Sequence, residues 1–213
     1  MAKQKTATAN PAKPTDEDNP SARARLLAVA SDLFYRHGIR SVGIDQVIAE
    51  ANVAKMSLYR SFASKDELAA AYLKERDRLY WLWWESVTGE HPGAPRDQLL
   101  ALFRALSKLP ARPGWRGCPF TNAATEFPEP DHPARRVAED NKRQLRRRLA
   151  DLARSAGARE PESLGDQLVL LFEGVYSSAQ TFGAASPAKR VVQAAEALLA
   201  AQLGKAPTIS SSR

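Results

Sequence analysis

Between Gly43 and Glu67 the apolar positions fall at helical rather than alternating steps. Ile44, Val47, Ile48 and Ala51 recur at three- and four-residue intervals, which predicts a helix of about two turns. Asn52 interrupts the series. Asparagine enters the left-handed backbone region readily, so it predicts a chain reversal where glycine would be the default. Val53 follows as a small apolar plug. A second short helix is predicted over Lys55 to Ser61, with Leu58 and Phe62 one helical step apart and facing the first. Lys55, Ser57, Tyr59 and Arg60 then project outward. A short helix that offers two cations, a hydroxyl and a phenol has the dimensions and chemistry to enter the major groove of DNA.

The helical period continues on both sides. Upstream, Leu26, Leu27, Ala30, Leu33 and Phe34 form a stripe that Gly38 should stop, with Asn19 and Pro20 suited to cap and open the helix. Downstream, Ser64 and Glu67 have the spacing of a capping box, so a helix should start at Lys65. It carries Leu68, Tyr72, Leu79 and Trp83 on one side. Trp81, Leu82 and Trp84 broaden that surface, which predicts contact with more than the bundle core. Further helices are expected from Pro95 to about Leu109, briefly within Cys118 to Phe127, and over Pro133 to Ala156, with Val137, Leu145, Leu149 and Leu152 inward and Lys142, Arg143, Arg146, Arg147 and Arg148 largely outward. That basic run reads as a solvated face. The last two helices are predicted over about Ser163 to Thr181 and Pro187 to Leu203. Their apolar faces, including Leu168, Leu171, Val175, Val191, Ala195, Leu198 and Gln202, exceed the visible needs of one chain, so they are expected to pair with a second copy in a four-helix interface.

The stretch from Leu26 to Leu68 resembles the DNA-binding domain of the TetR family of bacterial transcriptional regulators. Leu27, Ala30, Leu33, Phe34, Gly38, Ile44, Val47, Ala51, Val53, Lys55, Leu58, Tyr59, Phe62, Ser64, Lys65 and Leu68 carry the likeness. It implies an all-α chain: an N-terminal three-helix helix-turn-helix DNA-binding domain at 19–64, then a C-terminal helical ligand-binding and dimerisation bundle at 65–204. Residues 1–18 and 205–213 are expected to be a disordered arm and tail. The resemblance also implies that Lys55, Met56, Ser57, Tyr59 and Arg60 contact the groove and its phosphates, that Lys65 contacts a phosphate, and that a ligand in the C-terminal part alters the separation of two reading heads. Arg60 suits guanine acceptors and Met56 a thymine methyl. Some positions depart from the family pattern. Gly43 stands where a hydroxyl residue usually caps, Ile48 and Met56 replace small residues, Asn52 replaces the turn glycine, and Ala54 replaces a common serine cap.

Charge changes this picture little. The net charge is +7, but residues 19–91 carry ten basic and nine acidic side chains, whereas residues from Pro92 onward carry eighteen and twelve. Basicity is therefore not concentrated in the reading head. In the arm, Lys3, Lys5 and Lys13 leave two readings open: a terminus without a role, or a basic arm that follows a DNA groove. The single cysteine, Cys118, allows no intrachain disulfide and fits a reduced, cytoplasmic setting. No signal-peptide core or membrane-length apolar run is found, so a membrane partner is not expected.

For an effector, Tyr72, Trp81, Trp84, Phe103, Phe120, Phe172 and Tyr176 are expected to line a cavity between the central helices, with Cys118 and Asn122 as its polar or polarizable contacts. Such a site suits a small, mainly apolar molecule. No metal or cofactor is expected. HExxH, CxxC, GxSxG and glycine-rich phosphate loops are absent from the sequence, and a His37, Ser41 and Asp45 grouping reads as accidental. The expectation is a ligand-responsive homodimeric repressor on a palindromic double-stranded operator. An activator of the same fold and a protein-interaction module without DNA binding are the alternatives.

Overall fold

The computed structural model describes residues 20–111 and 113–203; the expected arm and tail lie outside them. Among the described residues the chain forms helices α1 (Ala22–His37), α2 (Ile44–Ala51), α3 (Lys55–Ser61), α4 (Lys65–Gly89), α5 (Pro95–Leu106), α6 (Pro119–Glu126), α7 (Pro133–Ser155), α8 (Pro161–Phe182) and α9 (Val191–Leu203), with short 3-10 turns at Leu109–Ala111, Gly183–Ala185 and Pro187–Arg190. No strand occurs among them.

Helices α1 to α3 close on one small core. Leu26, Ala30, Leu33 and Phe34 of α1 meet Val47 and Ala51 of α2, Leu58 of α3, and Phe62 just beyond it, all buried. The first helix opens later than the sequence predicts. Asn19 lies outside the described residues; Ser21, beyond Pro20, is the cap: its Oγ accepts from the Ala24 amide at 3.2 Å, pairing one of the amides that a helix start leaves free. The reversal at Asn52 takes the expected form. Its φ of 49° is left-handed, and the Val53 amide then reaches back to the Ile48 carbonyl at 3.3 Å, closing the end of α2. At Ser64 the hydroxyl accepts from the Glu67 amide at 3.1 Å, while the Glu67 carboxylate accepts from the Ala63 amide at 2.7 Å. The Ser64 half of the capping box thus forms, Glu67 reaching one residue further back than the motif expects, and the two bonds fix where α4 begins.

α4 serves both parts of the molecule. Its first turns complete the head, with the Tyr72 ring edge-on to Phe34 at 5.8 Å, and its later turns enter the bundle. There α7 packs against α4, α5, α6 and α8. Its inward positions are mostly small: Ala134, Ala138, Ala150 and Ala153 are buried beside Leu145 and Leu149. Small residues let α8 approach closely. A Cβ on Gly165 would lie 2.9 Å from the Ala150 Cβ and 3.0 Å from its Cα.

Several amphipathic faces differ from expectation. Leu79, predicted inward on α4, is 44% exposed, and Trp84 rather than Trp83 is the fully packed tryptophan. Lys142 turns inward instead of joining the solvated basic face. Leu168, Val175, Val191 and Ala195, expected at a pairing surface, are buried within the single chain because α9 folds back on α8 and α5. Leu171, Leu198 and Gln202 remain partly exposed, and Leu170, at 71% exposure, and Phe182, at 58%, are large apolar residues that α8 turns outward.

Candidate functional site

The outer face of α3 is held by its inner one. Leu58 and Phe62 are buried against α1, and the Arg23 guanidinium lies 4.5 Å above the Phe62 ring. Rotation of α3 would expose these apolar groups, so its opposite side is fixed toward solvent. That side presents Lys55, Met56, Tyr59 and Arg60, all exposed, with Ser57 half-buried at the edge. Met56 and Tyr59 are 63% and 49% exposed, large side chains to leave in solvent. Arg60 makes no ion pair among the described residues. Lys55 does: its ammonium lies 3.0 Å from the Asp45 carboxylate of α2, and that hydrogen bond raises its pKa.

The head is joined to the bundle at both ends of α6. Before α6, the Tyr35 hydroxyl donates to the Gly117 carbonyl at 3.1 Å and accepts from the Arg116 amide at 2.8 Å; the Arg116 guanidinium donates to the Arg36 carbonyl. After it, the Glu126 carboxylate accepts from the Arg40 amide at 2.7 Å, and the Arg40 guanidinium sits 5.0 Å from the Phe127 ring. His132 stacks on Phe127 at 3.8 Å and approaches Asp66 at 3.4 Å. These contacts tie the last turn of α1 and the α1–α2 turn to a single short helix.

None of the nine side chains expected to surround an effector lines the cavity described below. Tyr72, Trp84, Phe103, Cys118, Phe120, Phe172 and Tyr176 are buried in the core, where Phe103 and Phe172 pack edge-on at 4.9 Å. Trp81 donates to Asp77 at 2.8 Å, and the same Asp77 oxygen accepts from the buried Asn141 at 2.9 Å. Asn122 donates to the Arg116 carbonyl at 3.0 Å. Cys118 lies 3.2 Å from the Lys142 ammonium, which pairs with Glu173 at 2.6 Å. Burial works against the Lys142 charge, but the Cys118 sulfur and the Glu173 carboxylate outweigh it and the pKa is raised. Burial also pushes Tyr72 up to about 12 and Tyr80 and Tyr176 well above the ordinary phenol range. A cavity of about 680 Å³ lies elsewhere, at one end of the bundle, lined among others by Ser107, Trp115, Arg116, Gln180, Ser186 and Lys189. The aromatic set packed against itself; the space opened where the α5–α6 and α8–α9 connections meet.

Two family models match: bacterial regulatory proteins, tetR family, over residues 26–72, and the tetracyclin repressor-like C-terminal domain over residues 95–195. Among solved structures, SCO4454, a TetR-family transcriptional regulator from Streptomyces coelicolor, is 34% identical, with a TM-score of 0.81 over 85% of this chain and 96% of that one. The chain belongs to the TetR family. It is thus a DNA-binding transcriptional regulator with an N-terminal helix-turn-helix and a C-terminal helical bundle. More distant relatives agree. The HTH-type transcriptional regulator YjdC of Escherichia coli (strain K12) is 23% identical over 155 residues, 73% of this chain and 81% of that protein. The HTH-type transcriptional repressor SCO4008 of Streptomyces coelicolor is 31% identical over 123 residues, 57% of this chain and 64% of that protein.

Within this TetR-family head the residue implied as a phosphate contact has a local task as well. The Lys65 ammonium donates to the Arg40 carbonyl at 3.1 Å, and burial lowers its pKa. The His37, Ser41 and Asp45 grouping does not form, since Ser41 donates to the His37 backbone carbonyl and Asp45 faces Lys55. Sequence reasoning missed Tyr35, Arg40, Arg116 and Glu126, the residues of the joint. Their partners are separated by 80 or more residues, and no local period announces such pairs.

Proposed function

We propose that this chain is a homodimeric, ligand-controlled repressor of transcription that binds a palindromic operator. The observation that carries the reading is the solvent face of α3. It combines a guanidinium without an ion-pair partner among the described residues with exposed Met56 and Tyr59, on a helix locked from behind by Leu58 and Phe62. A guanidinium reads guanine acceptors bidentately and a methionine packs on a thymine methyl, while Lys55, Ser57 and Tyr59 suit phosphates and sugars. Lys65, in the first turn of α4, adds a cation beside free amides that themselves favour an anion. Residues 19–64 form the head in this scheme and 65–204 the regulatory bundle. Two heads are brought together by outward surface on α8 and α9, where Leu170, Leu171, Leu198 and Gln202 lie, which matches a twofold operator. The relative SCO4008 is named a repressor, and steric exclusion from a promoter needs nothing beyond tight, specific binding. A ligand releases the operator by binding unequally to the two head separations, shifting the population toward the one that misfits DNA.

Competitive binding to operator and scrambled duplexes tests the reading. Arg60→Ala should lose about 1–3 kcal/mol at one base pair and relax the preference there. Lys65→Ala should weaken both duplexes alike and flatten the salt dependence. Equal losses on both duplexes for both variants would reject the division of labour.

A further inference from the structure

We propose that the cavity at the end of the bundle is the effector site and that it takes a small organic anion with a planar apolar body. The proposal rests on the ligand-controlled reading above and gives it a place and a chemistry. At about 680 Å³ the space lies within the range of sites for small organic molecules. One wall is flat and aromatic: the Trp115 indole stands parallel to the Tyr176 ring, 11° from coplanar at 6.2 Å. Among the described residues of the lining the charges are Arg116 and Lys189, with no carboxylate. Neither cation joins an ion pair among the described residues, whereas Arg146, Arg148 and Arg154 on α7 are each matched by Asp or Glu. Two uncompensated cations beside an aromatic plate select a carboxylate or sulfonate carried on a ring system.

The same wall is continuous with the reading head. Arg116 lines the cavity and also donates to the Arg36 carbonyl in the last turn of α1, and Tyr35 bonds to the backbone on either side of the Arg116–Gly117 peptide. An anion drawn to the Arg116 guanidinium competes with that carbonyl. The segment has little room to absorb the change by itself. Gly117 has a φ of +81°, and the Gln180 amide nitrogen lies 2.1 Å from where a Cβ would stand, held by its bond to the Arg116 carbonyl at 2.8 Å. A shift of Arg116 is therefore passed to Tyr35 and α1.

Fluorescence titration of the full chain with 1-anilinonaphthalene-8-sulfonate, and with the uncharged N-phenyl-1-naphthylamine, tests the assignment. The sulfonate should bind once per chain, about tenfold more tightly than the neutral probe. Lys189→Glu should weaken the sulfonate about tenfold and the neutral probe less than about twofold. Ala184→Trp, at an exposed lining position, should block both. Equal affinity for the two probes, or sulfonate binding indifferent to both substitutions, overturns the proposal. In a parallel DNA titration the sulfonate should lower affinity, and Tyr35→Phe should blunt the effect. Sulfonate binding that follows the expected pattern but leaves DNA affinity unchanged overturns the effector role. If no duplex is bound while the fluorescence pattern holds, the regulator reading fails and the anion site stands.

Discussion

Replacing Asp45 by Asn should strengthen DNA binding and steepen its salt dependence. Asp45 and Lys55 are both exposed and meet at 3.0 Å, so in the free head the first cation of α3 is neutralised by a neighbour on α2. Against a phosphate, Lys55 must either abandon that carboxylate or carry it toward the DNA. The substitution frees the ammonium and removes an anion from the DNA-facing side, while leaving a side chain of the same shape. One further phosphate neutralised per head changes the slope of log K against log salt by about −0.9, or about −1.8 for a pair of heads. Between about 50 and 200 mM salt, that amounts to roughly tenfold extra loss of affinity relative to the parent, starting from tighter binding at the low end. Fluorescence anisotropy over the salt series reads both quantities, and a thermal melt confirms that α2 is intact. Unchanged slope and affinity in a folded Asp45→Asn protein would show that Lys55 does not face phosphate, and would refute the orientation given to α3.

Other expectations concern the frame that holds this face. At Asn52, the left-handed backbone should make Asn52→Ala cost roughly 1–2 kcal/mol and leave Asn52→Gly close to neutral, measured by urea unfolding. Gly165→Ala gains about 1 kcal/mol of helix propensity but puts a methyl 2.9 to 3.0 Å from the Ala150 Cβ, Cα and N, atoms that cannot swing away. Overpacking of about 1–3 kcal/mol should win, so a rise in melting temperature would contradict the close α7–α8 crossing. Alkali should destabilise the fold. Tyr72 is pushed up to about 12 and Tyr80 and Tyr176 are raised further by burial. Above pH about 10 the unfolded chain thus binds fewer protons than the folded one, and stability falls by up to about 1.4 kcal/mol per pH unit for each tyrosine. The raised Lys142 acts in the same direction, as its contribution is lost when pH climbs through its folded pKa. Urea melts that stay flat from neutral pH to about 11 would contradict these burials.

The reading head was legible because its determinants are local. Ile44 to Ala51 share one face of eight residues, Asn52 announces a left-handed turn by its own chemistry, and Ser64 and Glu67 cap a helix within four positions. The bundle was legible only as helices. Leu168 and Val175 are as apolar as Leu170 and Leu171, and no periodicity says which row meets α9 and which stays outside; the fold buried the first pair and left Leu170 out. Aromatic residues are ambiguous for a related reason. Rings are large enough to line a cavity or to fill one, and Phe103, Phe172 and Tyr72 fill it. The open space described falls among residues such as Ser107, Trp115, Gln180 and Lys189, which are unremarkable in the pattern and adjacent only in three dimensions. Lys142 looked like one more outward cation because its partner, Glu173, is 31 residues away on α8.

Footprinting of the purified protein on DNA flanking the gene that encodes it bears most directly on α3 as the reading element of a paired molecule. Two protected half-sites should appear on one face of the duplex, related by a twofold axis and spaced about 10 base pairs or a multiple apart, and both should vanish together in a folded Arg60→Ala, Tyr59→Ala double variant. Protection of a single unpaired site, or half-sites that persist in that variant, would contradict the account.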